Sequence, residues 1–189
     1  MSRTLLQRLH HAIAVNDALA LPIARENLRR LYFSAPLAVL FDLIHIIVFR
    51  LNLQGASPEH DGWRMDIIRI HATVAVLFSL LGLLAWFAAP PRRSAALWYM
   101  QLLTLLGSTL LLGFGVAITS ADQQVTSSIT PFLMASVATA LILLLRPRLA
   151  VTLYILAFAA FELAMALTQA DPQLRLSNQM GGLTRSEEH

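Results

Sequence analysis

From Ala72 to Ala89 the sequence carries no ionisable residue. A helix rises ~1.5 Å per residue, so such a run covers most of a bilayer's ~30 Å hydrocarbon core. Including its polar lead-in, this span runs from Asp66 to Ala89. Four more apolar runs share the chain, at Phe33–Phe49, Ala95–Ile118, Ile129–Leu145 and Leu149–Leu167. Hydrophobic residues make up 57% of the 189 residues and charged ones 13%. Mean hydropathy is +0.63. A soluble domain usually has nearly twice that charged fraction. The runs lack period-two alternation, which excludes a transmembrane β-barrel. The expected fold is therefore all-α: a polytopic membrane bundle of about five transmembrane helices. The fourth and fifth are short for spans.

Polar sequence divides the runs. Residues 1–32 read as a cytoplasmic amphipathic segment, with Leu5, Leu6, Leu9 and Ile13 against arginines, and with Pro22 separating its pieces. Residues 33–168 form the five-span domain and 169–189 a polar tail. Arginine placement sets the orientation. Arg92, Arg93, Arg146, Arg148 and the arginines of the N-terminal segment fall on one side, while the loop at 119–128 has no positive charge. The positive-inside rule places that side in the cytoplasm, with the tail outside. Trp63, Trp86 and Trp98 lie near span ends, where interfacial tryptophan is expected.

The chain has no cysteine, which excludes disulfides, thiolate metal sites and thiol catalysis. All 14 basic residues are arginine, which together with the Ala and Leu content suggests a GC-rich bacterial genome. The basic balance follows topology, so no nucleic-acid partner is expected. The N-terminal residues do not have the form of a signal peptide. No nucleophile–base arrangement, phosphate loop or HExxH motif is present.

Five ionisable side chains interrupt the apolar runs. Counted from the outer ends of their spans, His45 lies ~7 Å deep, Asp42 ~12 Å, Arg69 ~6 Å, His71 ~9 Å and Glu162 ~9 Å. All five fall in one outer slab. A charge near the centre of the hydrocarbon costs at least ~2.5–3.5 kcal/mol on insertion scales, so such groups face the bundle interior, a partner or water. Arg69 is the expected partner of Asp42 or Glu162. Three readings stay open. The cluster locks helix register, or it lines an outward-facing pocket for a small ligand or ion, or His45 and His71 hold a metal or haem. Gly107, Gly113 and Gly115 on the third span read as close-packing positions.

Two stretches, "ARENLRRLYFSAPLAVLFDLIHI" and "DPQLRLSNQMGGL", together with the span spacing, resemble the N-terminal membrane region of bacterial diguanylate cyclases with multi-span input domains. In that family the second stretch leads into a further span before a cytoplasmic GGDEF domain. Here "LTRSEEH" follows Gly181 and Gly182, so the GGDEF motif and the family's catalytic residues are not matched. The resemblance implies an input region whose residues 169–189 are a truncated lead-in to a further span. It implies a bacterial inner-membrane sensory module, normally dimeric and not itself an enzyme. Asp42, His45, Arg69, His71 and Glu162 would meet a small ligand at the outer leaflet or periplasm. The alternative is a small transporter or permease-like protein that uses the same cluster.

Overall fold

The computed structural model describes residues 19–51, 58–88, 96–123, 125–126 and 128–169. The described residues form five helices and no strand. They are α1 (Ala20–Leu51), α2 (Pro58–Ala88), α3 (Leu97–Asp122), α4 (Thr130–Ile142) and α5 (Pro147–Thr168). Four of them, α1, α2, α3 and α5, are long and apolar enough to cross a membrane. Their outward faces carry Phe33, Leu37, Ile47, Leu80, Phe87, Ile155 and Leu163, all exposed. Apolar surface this extensive requires a lipid environment.

The boundary expected at residue 32 falls inside α1. Pro22 lies in that helix's first turn, where the missing N–H is not needed, so it does not break the chain. Ala20, Ala24, Asn27, Leu28, Leu31, Ala35 and Asp42 are buried on α1. Their spacing of three, four and seven residues forms one stripe, which faces the bundle along the helix. At 32 residues α1 extends ~48 Å, well beyond the hydrocarbon thickness. Of the amphipathic segment expected at 1–32, residues 1–18 lie outside the described residues, as does the tail beyond Gln169.

α1 and α2 form the most extensive interface, and α3 packs against both. Their shared core contains Leu28, Leu31, Ala35, Val74, Phe78, Leu81, Ala85, Met100 and Leu103. α5 packs against α3 through Leu153, Ala157, Phe161 and Met165. α4 lies against α3 at Gly115. A Cβ there would fall 2.5 Å from the Ala135 Cβ and 3.1 Å from the Phe132 Cα, so only glycine permits this approach. Gly113 departs from the close-packing expectation: it is exposed and a Cβ there would meet nothing within 4 Å.

The fourth expected span, Ile129–Leu145, is not one helix. α4 ends at Ile142, and residues 143–146 are non-helical. The chain nevertheless follows most of α3. The Phe132 amide donates to Thr119 Oγ1 at 3.0 Å near one end of α3. Leu143 packs with Met100 and Leu103 near the other. That stretch of α3, from Met100 to Thr119, is ~28 Å long.

An unwound backbone within an apolar bundle must find partners for its polar groups. Asn27 supplies them. Its Nδ2 donates to the Leu144 carbonyl at 2.9 Å, and its Oδ1 accepts the Leu144 amide at 2.7 Å. Arg30 donates to the carbonyls of Leu141 and Ile142, both at 3.3 Å, at the C-terminal end of α4 where a cation is favoured.

Candidate functional site

Asp42 sits on the buried stripe of α1. On α2, Ile67, His71, Val74, Ala75, Phe78 and Leu81 share one buried face at helical spacing. When the two faces meet, the carboxylate and imidazole are forced together. His71 Nδ1 lies 2.7 Å from Asp42 Oδ1. Asp42 is 2% exposed and His71 4%, so neither has recourse to bulk water. The other carboxylate oxygen, Oδ2, is fully buried and accepts no hydrogen bond among the described residues.

His45 completes the group. Its ring stacks on His71 at a centroid distance of 4.7 Å and an interplanar angle of 16°. His45 Nδ1 lies 2.9 Å from the Phe41 carbonyl one turn earlier, and because a carbonyl can only accept, Nδ1 is the donor. The Phe41 ring lies 4.1 Å from that of His45. Phe114 of α3 meets the edge of His71 at 5.2 Å. The result is a buried carboxylate–imidazole pair with a second, half-buried imidazole stacked on it and phenyl rings at two of its sides.

The arrangement brings together Asp42, His45 and His71, and leaves out Arg69 and Glu162. The expected Asp42–Arg69 pair does not form. Residues 69 and 71 are ~200° apart around a helix, so with His71 facing α1, Arg69 must face away. Its side chain is 71% exposed and binds Asp66 at 2.9 Å on the same helix. Glu162 shares the slab's depth but belongs to α5, which packs on α3. Its Oε1 is buried and accepts no hydrogen bond among the described residues. Equal depth therefore did not mean adjacency.

Two further features escaped the sequence reading. Phe114 has no polar signature, and only the packing of α3 reveals its role. Trp63, read as an interfacial anchor, donates from Nε1 to Asp122 Oδ1 at 3.0 Å and so ties the N-terminal end of α2 to the C-terminal end of α3.

Among the described residues no group of three or more His, Asp or Glu side chains is arranged to hold a metal ion. A bis-histidine haem needs two imidazole nitrogens pointing at one iron from opposite sides. His45 and His71 instead present ring faces to each other. An apolar groove of about 610 Å³ runs between α2 and α3, lined by Thr73, Leu77, Leu81, Leu110 and Phe114, with Arg69 at one end. Phe114 thus touches both the groove and His71. Chemically, the group joins α1 to α2 through one short polar contact at a buried position, so a change in that contact acts on the packing of the two helices.

No family model matches the chain, and no curated protein or solved structure matches it significantly.

Proposed function

We propose that this chain is a sensory input module of a bacterial inner membrane, with its N-terminus in the cytoplasm. In this reading α4 and the non-helical stretch after it make the fifth crossing. The responsive element is the Asp42–His71–His45 group in the outer half of the α1–α2 interface. One observation carries the reading: a buried carboxylate with one oxygen unpartnered among the described residues, bonded to an imidazole that is itself stacked on a second. Two protonated imidazoles at this spacing would repel strongly in a medium of low dielectric. A change of charge at the group therefore forces the α1–α2 packing to adjust, and helix packing is the output such modules pass on.

The transporter alternative needs a polar route through the bundle. Below the group, the α1–α2 interface closes over Leu31, Ala35, Val74, Phe78, Leu81 and Ala85, all buried and apolar. That continuity favours a site that responds over one that conducts.

The chain has no cysteine, so paired cysteines report cleanly. A Cβ at Gly82 would lie 3.0 Å from the Ala35 Cβ, just short of the ~3.5–4.5 Å of a disulfide, so A35C/G82C crosslinks across α1 and α2 at a rate set by a small separation of the helices. Crosslinking rates in nanodiscs should change with pH, and D42N should abolish that dependence. Proteoliposomes should show no D42N-sensitive proton or solute flux. Such a flux would establish the transporter instead, and a pH-independent rate in the unmutated background would remove the sensing role.

A further inference from the structure

Where α1, α3 and α5 begin, the helices leave a groove of about 460 Å³. It lies far from the Asp42 group and has a different character. Ile23, Leu105 and Leu149 give it an apolar floor, while Trp98, Gln101 and Arg146 supply polar atoms at its rim. One wall is the non-helical stretch at Leu144, held in place by Asn27 through two hydrogen bonds.

The charge at this end is one-sided. Arg146 is half-buried against the groove and makes no ion pair among the described residues. Glu26, the acid on the adjoining part of α1, is engaged by Arg29 and Arg30. A partly buried guanidinium presents a planar fork of donors, the geometry that suits phosphate oxygens. Trp98 is 67% exposed beside it, as expected for a ring at headgroup level. The helices that border the groove are three of those fitted to cross a membrane, so an occupant reaches it from the leaflet.

We propose that this groove seats an anionic phospholipid. Its phosphate lies against the Arg146 guanidinium and the Gln101 amide. One acyl chain lies along Ile23, Leu105 and Leu149. A zwitterionic lipid brings its own cation beside the phosphate and gains less from Arg146. The bound lipid would brace the non-helical stretch beside Asn27, which lines the same groove. This site is independent of the sensing role assigned to Asp42.

Trp98 is a built-in reporter. In a W63F/W86F variant it is the sole tryptophan, since the chain has three. Nanodiscs of phosphatidylcholine would be doped with brominated phosphatidylglycerol or, separately, with brominated phosphatidylcholine, and quenching of Trp98 recorded. The anionic lipid should quench about fivefold more effectively, the ratio equivalent to the ~1 kcal/mol that one arginine contributes near an anionic surface. R146Q should remove that preference. R148Q changes an exposed arginine two residues away and should retain it. Equal quenching by both lipids, or a preference that survives R146Q, would overturn the proposal. So would equal losses in R146Q and R148Q, which would mean diffuse surface charge. Should the tryptophan-depleted background fail to fold, lipid retention by the unmodified chain and by R146Q in native mass spectrometry decides the same question.

Discussion

Removing one partner from the Asp42–His71 pair should harm the protein more than removing both. In H71L the Asp42 carboxyl group loses its hydrogen-bond partner, and Asp42 Oδ2 already has no partner among the described residues. Leaving a buried carboxyl group without its partner costs ~1–3 kcal/mol, and more where it is charged. In D42L the imidazole Nδ1–H is left without its acceptor at a residue 4% exposed, a loss of ~1–3 kcal/mol. In D42L/H71L two apolar side chains meet inside an interface that already consists of Leu31, Ala35, Val74 and Phe78. Replacing both partners of a buried polar pair by apolar groups is often neutral or stabilising. The expected order of damage is H71L, then D42L, then the double variant. The coupling should exceed ~1 kcal/mol, within the range found for residues in direct contact. Reversible unfolding in mixed micelles, followed by far-ultraviolet circular dichroism, measures all four corners of the cycle. The double variant should also lose the pH dependence of A35C/G82C crosslinking while keeping its fold. Additive single-variant losses, within ~0.5 kcal/mol, would show that the two side chains do not depend on each other and would refute the reasoning.

Other substitutions separate the remaining interactions by the same unfolding measurement. N27L strands both the amide and the carbonyl of Leu144, which are part-buried, and should cost ~2–6 kcal/mol, at ~1–3 kcal/mol for each polar group left unpaired; a cost under ~0.5 kcal/mol would mean water replaces the asparagine. G115V drives side-chain atoms into Ala135 and Phe132 and should cost ~1–3 kcal/mol or more, through separation of α3 from α4, detectable as faster proteolysis of the 124–128 connection. R69Q breaks only an exposed pair with Asp66 and should change stability by less than ~1 kcal/mol, with no coupling to D42N.

The long helices were legible because hydrophobic length is a property of the chain alone. The stretch after His71 had one viable environment, and the structure has a helix there with Leu80, Leu83 and Phe87 exposed. The break at Leu143 was not legible. Three consecutive leucines, 143–145, read as the continuation of a span; the helix ends there where Asn27, 117 positions away in sequence, offers the backbone an alternative partner, and Pro147 has no N–H to extend it. At the site, depth was readable from helical rise, and it placed Asp42, His45 and His71 at compatible levels. Angular position was not. The 200° between Arg69 and His71 is computable from sequence, but which of the two faces the bundle depends on the neighbouring residues. The stripe of Ile67, Val74, Ala75 and Phe78 decides it for His71, and would have done so beforehand had face as well as depth been tracked.

The two buried polar residues of α1 lie on the same stripe as its apolar core positions. Asp42 and Asn27 are fifteen residues apart, ~22 Å along one continuous helix. Each binds a different neighbour: Asp42 grips α2 through His71, and Asn27 grips the non-helical stretch between α4 and α5. Polar contacts of this kind are directional where leucine packing is not, so they specify how α1 is rotated relative to each partner. A rotation or tilt that releases the His71 contact must act on the Asn27 contact too, unless the helix bends between them. Pro36 lies within that interval and lacks the N–H that would bind the carbonyl four residues earlier. It supplies the one site on this helix segment where bending is inexpensive. In the sensory reading α1 is therefore the transmitting element. Its outer contact takes the charge change, and its inner contact converts helix displacement into a shift of the 143–146 stretch. The stiffness of the segment around Pro36 determines how much of that displacement arrives.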